Sequence, residues 1–277
     1  WKNVKTERTV FDYFSTAKAF ELYNQGFETI DDVPANYPLA TKDALRLEHA
    51  QQNSSFFDHQ KVAAFLGKIK YPVYYMDFET MMPAIPLFDQ SRPYQQIPFQ
   101  YSVHVQNRAN NTLEHFEFLA EADRSDPRLP FIESLLSVMG TSGAILVYNA
   151  AFEKARLKEL ALLFPQFAAA IAQVLARIVD LYIPFRDVLV YHPAMKGSAS
   201  IKAVLPALIP ELSYKGLAIG NGTEAMETFL LMMQGAITGQ EAQEKRLALL
   251  EYCKLDTLAM VELHGYLLHL KNTQDNV

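Results

Sequence analysis

Asp77 and Glu79 stand two residues apart in the run YYMDFET. On a strand, residues two apart project from the same face, so these carboxylates converge on one point. Converging carboxylates repel, and ionising both is costly unless a cation lies between them. Mg²⁺ or Mn²⁺ suits such an all-oxygen site. A solvated strand face produces the same D-x-E pattern, so the pair needs company. Glu153 offers a third carboxylate in YNAAFEKARL, where an apolar strand ends at Asn149 and a helix begins. A Glu in a helix's first turn also gains roughly 0.3–1 kcal/mol from the positive N-terminal end, which alone would account for it. Tyr252 and Asp256 are four apart in YCKLD, so a hydroxyl and a fourth carboxylate share one helix face. The alternative there is a Tyr–Asp hydrogen bond that docks the helix.

The three segments occur in order: D-x-E on a first strand, N-x-x-F-[DE] at a strand-to-helix junction, and Y-x-x-x-D on a late helix. Over about residues 70–270 this layout resembles the DnaQ-like 3′–5′ exonucleases of the RNase H-like superfamily, in the DEDDy subgroup with Tyr in the last motif. More closely, the chain looks like an uncharacterised bacterial domain family found C-terminal to RecB-like nuclease regions. PYQQIPFQYSVH, YHPAMKGSASIKAVLPAL and YCKLDTLAM carry that closer likeness.

The resemblance implies that Asp77, Glu79, Glu153 and Asp256 hold two divalent cations, Mg²⁺ or Mn²⁺, roughly 3.5–4 Å apart. It implies that Tyr252 orients the attacking water, since a phenol with a pKa near 10 is a poor base at neutral pH. Single-stranded DNA or RNA would then be shortened from its 3′ end to nucleoside 5′-monophosphates. The superfamily usually has Asp where this chain has Glu153, and the extra methylene sets that helix slightly farther back. Two other readings stay open: a catalytically silent RNase H-like module that binds nucleic acid or a partner domain, and a phosphoesterase acting on small nucleotides.

Further residues are assigned to the substrate. Gly197, Ser198 and Ser200 read as a loop entering a helix N-terminus, where free amides bind phosphate, with Lys202 in the first turn. From Arg186 to Lys215 four Lys/Arg face two Asp/Glu, a local charge of +2 against −6 overall. Lys196, Ser198, Ser200 and Lys202 are therefore expected to contact the substrate backbone. Tyr94, in PYQQIPFQ, could stack on a terminal base, and Phe78 and Asn149 are placed with it on the substrate side. Phe99 reads equally well as core. Asp180 is expected to cap a helix or lie at the site's edge, with the structural role favoured. His104, His115 and His192 have no ligand-like spacing and are expected to be structural or exposed.

The elements that must position these groups follow from periodicity. YPVYYMDFE alternates as a strand, with Val73, Tyr75, Asp77 and Glu79 on one face and Tyr74, Met76 and Phe78 on the other. FQYSVHVQ and LEHFEFLA are strands joined by the hairpin signal NRANNT. DPRLPFIESLLSVMG is a helix capped by Asp126, and AILVYN is a short buried strand. A long helix runs from about Gln240 to Leu270. The expected fold is α/β, an RNase H-like mixed β-sheet flanked by helices over residues 70–277. Residues 1–69 read as a helical appendage or linker, with Gly26 a helix C-cap. A faint helix-hairpin-helix likeness at Gly26 competes with a plain helical spacer.

At 277 residues the chain can bury a substantial core. Half its residues are hydrophobic and a fifth charged, as in ordinary globular proteins. The −6 charge does not favour a broad basic nucleic-acid surface but leaves room for a narrow groove. The single cysteine, Cys253, excludes an internal disulfide framework and a Cys-based zinc site, and a cytoplasmic location is the default expectation. No apolar run reaches membrane-spanning length and no signal peptide is evident. The start at Trp1 suggests a piece of a longer protein, with an upstream nuclease-like domain as the expected fusion partner.

Overall fold

The computed structural model describes residues 6–108 and 112–274. Residues 109–111, in the expected Asn-rich turn, lie outside the described residues. The chain divides into two compact units: Gly67–Leu181 with Tyr214–His264, and Trp1–Leu66 with Tyr182–Ser213 and Gly265–Val277. The expected boundary at 69/70 falls close to the break after Leu66, but the N-terminal unit also takes in two later stretches.

The N-terminal unit begins with helices α1 (Val10–Tyr13), α2 (Thr16–Asn24) and α3 (Thr41–Gln51), strand β1 (Phe56–Phe57) and helix α4 (His59–Leu66). Helix α2 ends where Gly26 takes φ +92° and Phe27 N–H donates to the Leu22 carbonyl at 3.1 Å, the closure that Gly makes easy at a helix end. The Gly26 amide donates to Tyr23 at 2.9 Å, so it serves the helix end.

The second unit holds the sheet. Strands β2 (Val73–Met81), β3 (Ile97–Gln106) and β4 (Leu113–Leu119) form an antiparallel meander. Helix α5 (Arg128–Val138) leads to β5 (Ala144–Val147), and α6 (Ala151–Leu163) and α7 (Ala168–Arg177) lead to β6 (Ile178–Asp180). Strands β5 and β6 pair in parallel, giving the order β4-β3-β2-β5-β6 with the first strand in the centre. The fold is thus α/β, a five-stranded mixed sheet flanked by helices. The chain returns to the first unit as α8 (Ile183–Arg186), β7 (Val190–Tyr191), paired with β1, and α9 (Ile201–Leu208). It closes with α10 (Gly222–Met233) and α11 (Gly239–Gln274).

Strand alternation decides what each face of the sheet does. Tyr74, Met76 and Phe78 enter a core with Phe131 and Leu135 of α5 and Leu157 and Leu160 of α6. On the other face Met81, Ile97 and Phe99 pack with Phe229 of α10 and Leu249 and Tyr252 of α11. The register of β2 against β3 shifts between Glu79 and Thr80, a bulge that ends the regular ladder beside Glu79. Asp126, expected as the cap of α5, accepts from the Arg128 amide at 3.0 Å, but the capping position itself falls one residue later, at Pro127. Among the described residues, no helix is long and apolar enough to cross a membrane.

Candidate metal centre

The position of Asp256 depends on how α11 is held across the sheet. Gln100 Nε2 donates to the Leu249 carbonyl at 2.7 Å. Thr257 Oγ1 meets Ser102 Oγ at 2.7 Å and His104 Nδ1 at 2.8 Å, and Ser102 Oγ also meets His115 Nε2 at 2.9 Å. Farther along, Tyr75 OH meets His264 Nδ1 at 2.8 Å. These anchors recur at two-turn spacing along one face of the helix, so they fix both its rotation and its slide. His104 and His115 are structural, as the sequence suggested, and burial holds their pKa values down at about 3 and about 4.

So clamped, α11 presents Asp256 to the D-x-E pair. Asp77, Glu79 and Asp256 each offer a carboxylate oxygen, and these atoms lie within 4.8 Å of one another. Burial, then the charges of Asp256, Glu79 and Glu153, push the Asp77 carboxyl well above its usual pKa. The Cys253 thiol lies 3.9 Å from both the backbone oxygen and Oδ2 of Asp77. Burial, then the charges of Asp77, Glu79 and Asp256, raise its pKa, so it stays a neutral donor. Tyr214 OH donates to Asp256 Oδ1 at 2.6 Å. Tyr252 is 4 % exposed, and burial followed by the charges of Asp256, Glu79 and Asp77 drives its pKa up. The Gly222 Cα at the start of α10 lies so near that an added Cβ would sit 3.4 Å from Glu79 Oε2.

Glu153 stands one step back. It falls in the first turn of α6, is 2 % exposed, and its pKa is pushed up to about 8 by burial and then by the charge of Asp180. It is outside the 4.8 Å set, yet its charge reaches Asp77 and its Oε2 has no hydrogen-bond partner. A buried carboxylate oxygen without a partner is costly, and a cation is the kind of group that would satisfy it. The junction that carries Glu153 is tight. Asn149 takes φ +75°, a conformation that Asn tolerates better than most residues, and its amide donates to Asp180 Oδ1 at 2.9 Å. Asp180 therefore holds the strand-to-helix turn.

The residues assigned to substrate fall in different places. Phe78 is corrected by the pleat: it is 3 % exposed, points away from the carboxylates, and packs edge-on against Phe131 at 5.1 Å. Phe99 is core, stacked on Phe229 at 4.1 Å. Tyr94 is 65 % exposed. Lys196, Ser198, Ser200 and Lys202 belong to the other unit. There Lys196 Nζ pairs with Asp12 at 3.1 Å, and the amides of Gly197 and Ser198 donate to Asp12 and Met195. Ser200 N–H donates to Ser198 Oγ at 3.3 Å. The amides of Gly197, Ser198 and Ser200 are thus engaged inside the chain.

Tyr214, Cys253 and Gly222 were not foreseen. Tyr214 lies in a loop without periodicity, and its partner is 42 residues away, so no local signal marks it. A cavity of about 350 Å³ opens between Gln96, Phe152, Gly222 and Met226, with Glu79 in its lining.

Comparison with known proteins adds kinship without chemistry. The family described as "Domain of unknown function (DUF2779)" matches residues 74–200, the stretch with Asp77, Glu79 and Glu153. The chain is 28 % identical over 219 residues to "Uncharacterized protein MG366 homolog" of Mycoplasma pneumoniae, covering 72 % of this chain and 32 % of that protein. It is 24 % identical over 256 residues to "Uncharacterized protein UU173" of Ureaplasma parvum serovar 3, covering 82 % and 37 %. "Uncharacterized protein MG366" of Mycoplasma genitalium is 26 % identical over 248 residues, covering 83 % and 37 %. No solved structure matches the chain significantly. The chain spans about a third of the length of the curated relatives it matches.

Proposed function

We propose that this chain carries a metal-dependent 3′–5′ exonuclease of DnaQ-like, RNase H-like type, acting on single-stranded DNA or RNA. The observation that carries the reading is the meeting of Asp77, Glu79 and Asp256 within 4.8 Å, with Glu153 near enough for its charge to act on Asp77. Four acidic side chains drawn together in a largely buried place are unstable as anions alone. The donors are all carboxylate oxygens, which hard divalent cations prefer, and the unpartnered Glu153 Oε2 fits that demand. Bound there, Mg²⁺ or Mn²⁺ supplies the charge that activates water and offsets the charge growing on the leaving 3′ oxygen.

The chain's own groups do the rest. Tyr214 fixes the rotamer of Asp256 through its 2.6 Å hydrogen bond, and Cys253 helps hold Asp77. Tyr252, kept protonated by burial and nearby carboxylates, orients water as a neutral hydroxyl and does not act as base. The cavity beside Glu79 admits the 3′ end. Fusion to an upstream nuclease-like domain is part of the same proposal, supported by the far greater length of the relatives.

The test is incubation with Mn²⁺ and 5′-labelled single-stranded DNA or RNA. A ladder shortening from the 3′ end is expected, with Asp77→Ala slower by about a thousandfold or more, the size of several kcal/mol of lost charge stabilisation. Glu153's position outside the 4.8 Å set favours the silent nucleic-acid-binding module as the second reading. That reading prevails if Mn²⁺ raises the melting temperature but neither oligonucleotide is shortened.

A further inference from the structure

A second cavity, of about 300 Å³, lies in the same unit and is lined by Arg92, Arg128 and Arg156 with Glu159, Gln95 and Gln96. Two of these arginines are buried, Arg128 at 3 % exposure and Arg156 at 8 %. Each keeps a buried nitrogen without a hydrogen-bond partner, Nη1 of Arg128 and Nε of Arg156. Buried guanidinium donors are ordinarily all satisfied, because leaving one unmet forfeits the hydration it lost. Both arginines line one cavity, so two guanidinium groups with an unmet donor each border a single space.

The charge balance says which acceptor. Three guanidinium groups line the cavity and Glu159 is the single carboxylate among them. That one side chain accepts from Arg156 at 3.0 Å, from Arg92 at 3.3 Å and from Gln95 at 3.4 Å. Arg128 is held in place by Asp126 and the Asp89 carbonyl, and Arg156 by Gln96. The arginines are thus pre-positioned, three guanidinium groups against the two carboxylates Asp126 and Glu159, an excess of one positive charge. Planar guanidinium forks bind the paired oxygens of phosphate and of carboxylate bidentately, and phosphate is the anion that a nucleic-acid strand presents.

Its relation to the carboxylates gives the cavity a role. Arg156 follows Glu153 by three residues on α6, so the two side chains are one turn apart on one helix. Gln96 lines both this cavity and the one beside Glu79. A strand whose 3′ end reaches the carboxylates is therefore led past Gln96 to the arginines. We propose that the Arg92–Arg128–Arg156 cavity is a phosphate subsite that grips a phosphodiester of the single-stranded substrate upstream of the bond cleaved. It rests on the nuclease reading for the identity of the strand, while the affinity for phosphate stands on the cavity itself.

The test is a scan of single-stranded oligonucleotides in which one phosphodiester at a time is replaced by a neutral methylphosphonate. Binding to the 277-residue chain is read by fluorescence anisotropy in EDTA, so that nothing is cut. One position near the 3′ end should weaken binding to the wild type by about tenfold, the usual scale of a charge-assisted contact. The same replacement should cost Arg156→Gln and Arg92→Ala less than about twofold, since the contact is already gone. Arg92 is exposed, so Arg92→Ala carries the test alone if Arg156→Gln fails to fold. A scan with no such position, or one equally marked in the variants, overturns the subsite. If millimolar inorganic phosphate raises the wild-type melting temperature while the scan is flat, the cavity takes free phosphate and the substrate assignment is overturned. A position-specific scan with no shortening in Mn²⁺ keeps the subsite and removes the exonuclease. A ladder with a flat scan does the reverse.

Discussion

At the residue scale, the metal-free centre is a store of electrostatic repulsion. Asp77 feels three other carboxylates, and burial has already raised the cost of its charge. Asp77→Asn keeps the shape and removes the cost of either charging that carboxyl or holding it protonated. Its metal-free melting temperature should rise by roughly 2–4 °C, about one kcal/mol for a domain of this size, while the Mn²⁺-dependent rise disappears. A metal-free Asp77→Asn that melts below wild type would show that the carboxylates are held by hydrogen bonds worth more than their repulsion. Tyr214 offers a complementary test. Tyr214→Phe keeps the ring but removes the hydroxyl that holds Asp256 Oδ1. Groups that orient a metal ligand typically contribute about 10–100-fold to affinity or activity. A Mn²⁺ titration followed by thermal shift should place the variant's midpoint that much higher, and an unmoved midpoint would reduce Tyr214 to packing.

At the scale of elements, the site depends on two joints. The first sets β5 beside β2. Gly143 has φ +86°, and a Cβ there would lie 1.9 Å from the Pro72 carbonyl oxygen. Backbone blocks this position, so no rotamer relieves it. Gly143→Ala should cost about 2–4 kcal/mol, combining a strained left-handed residue with a real collision. Gly26 also has positive φ, +92°, but nothing lies within 4 Å of its missing Cβ, so Gly26→Ala should cost only about 1 kcal/mol. Urea denaturation of the pair separates strain from collision, and equal losses would refute the collision at Gly143. The second joint is the polar clamp of Gln100, Ser102, His104 and Tyr75 on α11. The clamp sits on alternate residues of two strands, which is how a sheet presents one face.

At the scale of the whole chain, proton linkage gives metal-free and metal-loaded protein different pH profiles. Glu153, with its pKa raised to about 8, and Asp77, raised with it, keep protons in the folded state that the unfolded chain releases from about pH 4.5 upward. Their contribution to stability is therefore lost as pH rises toward 8. His104, His115 and His264 work in the opposite sense. Their folded pKa values lie at about 3, about 4 and about 4, so below pH 6.5 the unfolded chain binds protons the folded one refuses. Metal-free stability should peak near about pH 6 and fall on both sides. Saturating Mn²⁺ should flatten the alkaline fall and leave the acid fall intact, as chemical denaturation at pH 5, 6 and 8 with and without EDTA would reveal. An alkaline fall that persists in Mn²⁺ would mean that Glu153 and Asp77 do not meet the ion.

Much of this arrangement was legible before any coordinates. A period of two along YYMDFET gives the strand and its faces, and the caps and apolar periodicity give α2, α5 and the long last helix, because these depend on neighbours in sequence. The same local rule places Asp77 with Glu79 and Tyr252 with Asp256. It also contained the correction to Phe78, since a residue between two converging carboxylates must point the other way. Other features have no local signature. Helix α11 runs for many turns, and the slide that brings Asp256 to Asp77 is selected by long-range contacts such as those of Leu249, Thr257 and His264 with β2 and β3. Tyr214 and the arginine cavity join residues tens of positions apart. The sequence by itself determined which groups can act together along one strand or one helix turn. Which strand meets which turn was decided only in the tertiary structure, because that choice belongs to long-range packing and buried polar pairing, which leave no period in the chain.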